Sequence, residues 1–253
     1  MHAIILAAGQ GKRLAEFIPE GLPKCLLEIG GRSLLSRQLE VLYQQGVRQV
    51  TLVVGYAADA IVEHVGTLAV RPEVALVYNP VYTRGSVLSL GAAKQVMTSS
   101  DTVLVLDADV LFHPHIMQRL VESEHQNCFL IDRDFEHDEE PVKIALRNER
   151  IVEFRKTIPA GLEFDTLGKS VGFFKFDGNI TVKIAQVCDG YRSEGLLGAP
   201  QEEALRDITL ALPAAFACED ISGLPWIELN SPENVERAIK HVLPAIKEDI
   251  TDF

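Results

Sequence analysis

The stretch Met1-His2-Ala3-Ile4-Ile5-Leu6-Ala7-Ala8-Gly9-Gln10-Gly11-Lys12-Arg13-Leu14, followed by Pro23-Lys24, decides the architecture of this 253-residue chain. Met1–Leu6 is an apolar run that predicts a buried strand, and it opens directly into the glycine-rich Ala7–Arg13 turn. Glycines let successive backbone N–H groups converge on an anion, and the adjacent cations neutralise it, so the pattern reads as a phosphate cradle. Spacing excludes the two commonest cradles. A Walker A loop requires glycine where Leu6 stands and Ser or Thr where Arg13 stands. The dinucleotide fingerprint requires a third glycine in the place of Leu14.

Composition sets the bounds. A 253-residue chain with 47% hydrophobic residues can bury one large α/β core, alone or with a small appendage. A net charge of −12 argues against nucleic acid as the main partner, because a phosphate backbone demands a basic surface. The charge is uneven: Lys12, Arg13, Lys24, Arg32, Arg37 and Arg48 outnumber Glu16, Glu20, Glu28 and Glu40 in the first fifty residues. A locally positive loop on an acidic body suits a small polyanion. Cys25, Cys128, Cys188 and Cys218 lie far apart without a C-x-x-C pair, which predicts reduced, mostly buried thiols. No run reaches membrane-spanning length and the apolar N-terminus lacks the form of a signal peptide, so a cytoplasmic location is expected.

Short apolar runs alternate with amphipathic stretches, the pattern of βαβ units in an open, mostly parallel, Rossmann-like sheet flanked by helices. Ser33 is placed to cap a helix before Leu34, Leu35, Leu39 and Leu42. Gln49–Val54, Val74–Val77 and Thr102–Leu106 read as strands buried on both faces. Cys128–Ile131, Val142–Leu146, Ile151–Phe154 and Val171–Phe176 predict a strand-rich segment, a small β-rich lobe. Helices are expected at Ile180–Val187, Glu202–Leu212 and Pro232–Lys247, the last capped by Ser231 with Pro232 at its first position. A single domain over 1–253 is expected, with one half at about 1–125, another at about 126–230 and a terminal helix at 231–250.

Ligands of open parallel sheets sit outside the carboxyl ends of the strands, where strand order reverses. The Gly9–Arg13 loop and Asp107-Ala108-Asp109 both follow predicted strands and are expected at that crevice. If the strand persists, Asp107 and Asp109 share a face and offer oxygen to a hard cation such as Mg2+. In Trp226-Ile227-Glu228-Leu229-Asn230, Glu228 and Asn230 alternate with apolar neighbours and face one side. Tyr78–Leu90 joins a strand to a helix and carries Asn79, Arg84, Gly85, Ser86 and Ser89, groups suited to a planar base; helix capping by Ser86 is its plainer reading. Lys143 and Lys156 flank a predicted hairpin.

The string L-x-A-G-x-G-x-R-L…P-K resembles that of nucleotidyltransferases that make nucleotide-activated sugars and alcohols. Val54-Gly55-Tyr56, Asn79-Pro80 with Gly85–Leu90, Gly172-Phe173-Phe174, the Glu202–Asp207 helix and Trp226–Asn230 extend the likeness to the C-terminus. They narrow it to the cytidylyltransferase branch, including the phosphocholine, inositol-1-phosphate and 2-aminoethylphosphonate enzymes. The resemblance implies a nucleotide-diphospho-sugar transferase-like fold, CTP and a small phosphorylated alcohol or phosphonate as substrates, Mg2+ as cofactor, and no nucleic acid or membrane partner. Oligomeric state stays open.

On that resemblance, the nucleotide is held by Leu6, Ala7, Ala8, Gly9, Gly11, Lys12, Arg13, Lys24, Gly55, Asn79, Gly85, Ser86, Ser89 and Asp107. Gly9, Gly11 and Arg13 take the β- and γ-phosphates, Lys24 the α-phosphate, and Gly85 and Ser89 the base. Asp109, Glu228 and Asn230 form the metal site; Lys143, Lys156, Gly172 and Glu203 receive the acceptor. Arg13, Lys24 and Lys156 are the catalytic set. The family usually has a second metal-binding Asp where this chain has Asn230. Two alternatives stand beside this reading: a sugar-1-phosphate uridylyl-, thymidylyl- or guanylyltransferase, and a catalytically weak nucleotide-binding regulatory module.

Overall fold

A computed structural model describes residues 1–14, 16–135 and 141–251. In chain order the first elements are β1 (His2–Ala7), a β2–β3 hairpin (Glu28–Ile29, Arg32–Ser33), α1 (Leu34–Gln44), β4 (Gln49–Val54), α2 (Ala58–Thr67) and β5 (Glu73–Tyr78). Then come α3 (Ser86–Ala92), α4 (Lys94–Ser99), β6 (Thr102–Asp107), β7 (Val110–Phe112), α5 (Pro114–Glu122) and β8 (Cys128–Asp132). The hairpin of β9 (Lys143–Arg147) and β10 (Arg150–Arg155) leads to the long β11 (Thr166–Asp177). The chain ends through α6 (Gly178–Ser193), α7 (Gln201–Ala211), β12 (Ala217–Asp220), β13 (Trp226–Glu228), α8 (Pro232–Arg237) and α9 (Leu243–Thr251).

The main sheet has nine strands in the order β10-β9-β11-β6-β1-β4-β5, with β8 pairing β11 and β12. β1 is parallel to β4 on one side and β6 on the other, with Ile5 opposite Leu52 and Leu6 opposite Asp107. The chain therefore runs outward from β1 to β4 and β5, then returns to add β6 across β1. This is the reversal of strand order that opens a crevice at the carboxyl ends of β1 and β6. β11 joins β6 antiparallel, so the strand-rich segment continues the same sheet.

Apolar side chains pack on both faces, which is why the central strands carry almost no polar residue. One layer joins Ile5, Leu52 and Leu104 to Leu39, Ile61 and Met117 of α1, α2 and α5. The other joins Ile4, Val53 and Val105 to Leu90, Met97, Ile184 and Leu205 of α3, α4, α6 and α7. Phe129 lies at its centre, with ring centroids 4.9 Å from Phe174 and 5.1 Å from Phe154 in edge-to-face contact. Arg206 of α7 grips the buried carboxylate of Glu153 on β10 with two hydrogen bonds, fixing the helix to the sheet. All four cysteines are free, three of them buried; burial pushes the Cys25 thiol to about 12 and Cys128 to about 11.

Capping follows the local chemistry. Ser33 Oγ accepts from Ser36 N at 3.0 Å, and Ser231 with Asn234 forms a reciprocal capping box on α8. The terminal helix differs from the single segment expected. A π-helical turn at Ala238–Val242 separates α8 from α9. Pro244 accounts for it: proline donates no N–H, and its ring clashes with the carbonyl four residues earlier, so the helix widens. No helix among the described residues is long and apolar enough to cross a membrane.

Candidate active site

The loop after β1 turns at Gly11, whose φ of +66° places it in the left-handed region. A Cβ there would lie 2.9 Å from Lys24 Cβ and 3.0 Å from Ile18 Cδ1, so glycine also lets the Lys24 stem pack beneath the loop. Lys12 and Arg13 form a short 3-10 turn on the loop's exposed side. Leu6 and Ala7 belong to β1, and the Ala8 carbonyl accepts from Tyr56 N at 3.2 Å, tying the loop to the end of β4.

Lys24 is the focus of the crevice. Its ammonium donates to Asp109 Oδ2 at 2.5 Å and to Asn230 Oδ1 at 2.9 Å. Arg13 donates to the same Asn230 oxygen at 3.1 Å. Arg13 of the glycine loop and Lys24 of the turn that follows it thus meet two oxygen acceptors drawn from the turn after β6 and the turn after β13. The Lys24 side chain is 13% exposed and that of Asp109 24%, so this pair is shielded far better than a surface ion pair.

Asp107 and Asp109 do not share a strand face, because β6 ends at Asp107 and β7 resumes at Val110. Asp107 turns inward, where Gln201 Nε2 donates to its Oδ1 at 2.6 Å and the buried Gln38 amide donates to its backbone carbonyl at 3.0 Å. Burial drives its carboxyl well above the ordinary carboxylate range, and the charges of Asp109, Glu202 and Glu228 push it further. Burial likewise raises Glu228, with Asp109 adding; a hydrogen bond from Asn230 and the charge of Lys24 oppose it. Glu202 is raised by burial and held back partly by Lys156. The crevice therefore concentrates carboxylates around few cations.

Gly172 belongs to this arrangement for a steric reason. With φ at +78°, a Cβ built on it would stand 2.2 Å from Asp107 Oδ2. Gly172→Ala is expected to destabilise the protein by about 2 kcal/mol or more, seen as a lower Tm in thermal denaturation.

The other wall is built from Tyr78–Leu90. Asn79 and Ser89 are both buried; Asn79 Nδ2 donates to Ser89 Oγ at 3.0 Å and its Oδ1 accepts from Val81 N at 3.0 Å. Gly85, not Ser86, stands at the cap of α3. Ser86 Oγ instead accepts from Gln201 N at 2.8 Å, stitching α3 to the start of α7. Gly85 lies so close to Ala199 that any side chain would collide with its carbonyl, and Gly55 packs likewise on the Tyr82 ring. Both serine oxygens accept bonds from within the protein, while Thr83 and Arg84 of the same segment are exposed.

Lys156, Glu202 and Glu203 line a cavity of about 300 Å3 with Val142, Arg155 and Pro200. Glu203 is gripped by Arg155, whose Nη2 donates to both carboxylate oxygens at 3.1 and 2.8 Å. Lys143 donates to the Lys156 carbonyl at 2.9 Å and so braces the hairpin. Glu202 Oε2 is shielded from water without a hydrogen-bond partner.

Three groups escaped the sequence reading. Gln201 holds Asp107, Glu202 lines the cavity, and Lys169 sits 4.8 Å from the Trp226 ring centroid while easing the charge on Glu228. Lys169 was hidden because β11 begins five residues earlier than the apolar run Val171–Phe176 indicated. Among the described residues, no three His, Cys, Asp or Glu side chains gather as a metal cage.

The fold is shared with known nucleotidyltransferase structures. The inositol-1-phosphate CTP transferase from T. maritima superposes with a TM-score of 0.75 at 21% identity, covering 98% of this chain and 96% of that one. A CTP:phosphocholine cytidylyltransferase from Streptococcus pneumoniae gives 0.72 at 20% identity, covering 96% and 98%. This is the nucleotide-diphospho-sugar transferase fold expected from the sequence.

The chain belongs to the MobA-like NTP transferase domain family, whose profile matches residues 3–160. It is 26% identical to a bifunctional IPC transferase and DIPP synthase of Rubrobacter xylanophilus, over 95% of this chain and 52% of that protein. It is 32% identical to a CMP-5'-(3-aminopropyl)phosphonate synthase of Streptomyces rubellomurinus, over 94% of this chain and 38% of that protein. The chain thus spans about half the length, or less, of these relatives.

Proposed function

We propose that this chain is a CTP-dependent cytidylyltransferase, transferring CMP to a small phosphorylated alcohol or phosphonate and releasing pyrophosphate. The observation that carries this reading is the meeting of Arg13, Lys24, Asp109 and Asn230 at the switch point, directly beneath the glycine loop. The relatives' activities, each named for a CTP- or CMP-linked reaction in the Streptomyces protein and the two superposed structures, support the choice of nucleotide. The nucleotide half is taken as about 1–125 and the acceptor half as about 126–230. A cytoplasmic location remains part of the proposal.

The oxygen set fits magnesium. Asp109 and Glu228 offer carboxylates, Asn230 a neutral carbonyl, and the Asp109 charge, which adds to burial in raising Glu228, is what a divalent cation would offset. Asp109 would be the principal ligand, with Glu228 and Asn230 beside it. When bound, Mg2+ supplies charge neutralisation on the triphosphate.

The chain's own groups do the rest. Gly9, Gly11, Lys12 and Arg13 cradle the β- and γ-phosphates through backbone N–H groups and a guanidinium. Lys24 turns from Asp109 to the α-phosphate, where negative charge builds as the acceptor oxygen attacks in line. The backbone of Asn79–Ser89 meets the base edge. Lys156, in its cavity beside Glu202, holds the acceptor's phosphate or phosphonate, with Lys143 bracing the loop and Gly172 leaving room beside Asp107. No side chain forms a covalent intermediate; positioning and charge carry the reaction.

A pyrophosphate-release assay with a nucleotide panel tests the reading. CTP is expected to be preferred over UTP, GTP and dTTP by at least about tenfold in kcat/KM, or ~1.4 kcal/mol. Equal turnover of UTP and CTP would reject the cytidylyl assignment. Screening phosphocholine, 2-aminoethylphosphonate, inositol-1-phosphate and glycerol-3-phosphate identifies the acceptor.

A further inference from the structure

Gln201 stands where three parts of the crevice meet. It is the first residue of α7, follows Pro200, and is 3% exposed. Glutamine is mostly a surface residue, but here the side chain is directed into the fold. Its main chain belongs to a segment bound to the wall that carries Asn79 and Ser89. Gly85 N donates to the Leu197 carbonyl at 2.8 Å, Val87 N to the Ala199 carbonyl at 3.2 Å, and Gln201 N to Ser86 Oγ at 2.8 Å. Its side chain crosses to the end of β6, where Nε2 donates to Asp107 Oδ1 at 2.6 Å. The amide's own oxygen is shielded from water without a hydrogen-bond partner, so the side chain keeps this place through the bond to Asp107.

That bond steadies the turn Asp107-Ala108-Asp109. β6 ends at Asp107 and β7 resumes at Val110, so the turn is short. Gln38 Nε2 donates to the Asp107 carbonyl at 3.0 Å, and Leu229 N to the Asp109 carbonyl at 3.0 Å. Both bonds hold the backbone. Gln201 adds a grip on a carboxylate and ties it to α7. Gly172 crowds the other carboxylate oxygen of Asp107. A desolvated acceptor stripped of its donor is costly, so the turn would shift until the carboxyl met water or another donor. Asp109, bonded to Lys24, would move with it. An amide suits the position because it donates a hydrogen bond without adding a charge to a crevice crowded with carboxylates.

We propose, on the reading of Asp109 as the magnesium ligand that serves CTP, that Gln201 is a positioning residue. By holding the Asp107 carboxylate it aims Asp109 at the metal, and it joins that aim to α7 and to the wall at Gly85–Val87.

CTP is titrated against the intact protein by calorimetry, with and without Mg2+, and the ratio of the two affinities is the readout. A merely structural role lowers the binding-competent fraction, which weakens both titrations by the same factor and leaves the ratio unchanged. In the parent, Mg2+ strengthens CTP binding. Gln201→Met, similar in length but without a donor, is expected to cut that strengthening about tenfold, the scale on which groups supporting a metal ligand act. Binding without Mg2+ changes little. Gln201→Asn, whose amide falls short of Asp107, gives the same result if Gln201→Met does not fold. A folded variant with the parent's ratio overturns the inference and leaves the cytidylyltransferase reading standing. CTP binding by the parent that ignores Mg2+ overturns the metal reading and the inference together.

Discussion

Asp109→Asn is expected to lower pyrophosphate release from CTP to near background while circular dichroism stays that of the parent. Asp109 is the carboxylate that Lys24 contacts directly, and it stands with Glu228 and the neutral Asn230 oxygen at the mouth of the crevice. Under the proposed magnesium site, neutralising it leaves Glu228 as the one remaining carboxylate of that set, and burial already disfavours that group's ionised form. Asn230→Asp makes the opposite change and should reduce the magnesium concentration needed for half-maximal rate. Magnesium titrations of parent and both variants decide the matter. A parent-like titration by Asp109→Asn would mean that the metal is held elsewhere.

Lys24→Ala should reduce kcat by roughly a hundredfold or more, because in the proposed reaction it removes the positive charge that meets the charge developing on the α-phosphate. A solvated lysine following a loop proline would tolerate the change, but this ammonium is largely shielded and donates to two oxygens. The substitution has a second consequence. Burial and the charge of Asp109 raise the Glu228 carboxyl, and Lys24 is one of the groups restraining that rise. Without Lys24 the Glu228 carboxyl climbs further, so the acid limb of the pH–rate profile should move to higher pH. A variant retaining half the parental rate would place Lys24 outside the reaction centre.

Much of this site was legible because its parts are local. The Gly9–Arg13 loop announces itself through glycine spacing and adjacent cations, and Ser33 and Ser231 through the oxygen acceptors that helix starts require. Strands β1, β4 and β6 were readable because burial on both faces demands uninterrupted apolar side chains. Less was visible where the role of a residue depends on a distant partner. Ser86 looked like a cap, but its hydroxyl is taken by the Gln201 amide more than a hundred residues away. Ser89 looked free to meet a base, and it is buried against Asn79.

By itself the amino-acid sequence determined the alternation of strands and helices, the glycine-rich turn after β1 and the set of oxygen-bearing side chains near the two strand ends. These are consequences of periodicity, turn chemistry and residue type, which act over a few positions. Tertiary structure alone decided that Lys24, Asp109, Asn230 and Arg13 converge, since 206 positions separate Lys24 from Asn230 and 217 separate Arg13 from it. It also decided the opposite fates of the two aspartates in Asp107-Ala108-Asp109. The end of β6 turns one into a desolvated pocket sealed by Gly172 and Gln201, and leaves the other facing Lys24. Two residues of identical chemistry thus differ in surroundings and hydrogen-bond partners, because those are supplied by parts of the chain that sequence spacing does not bring together.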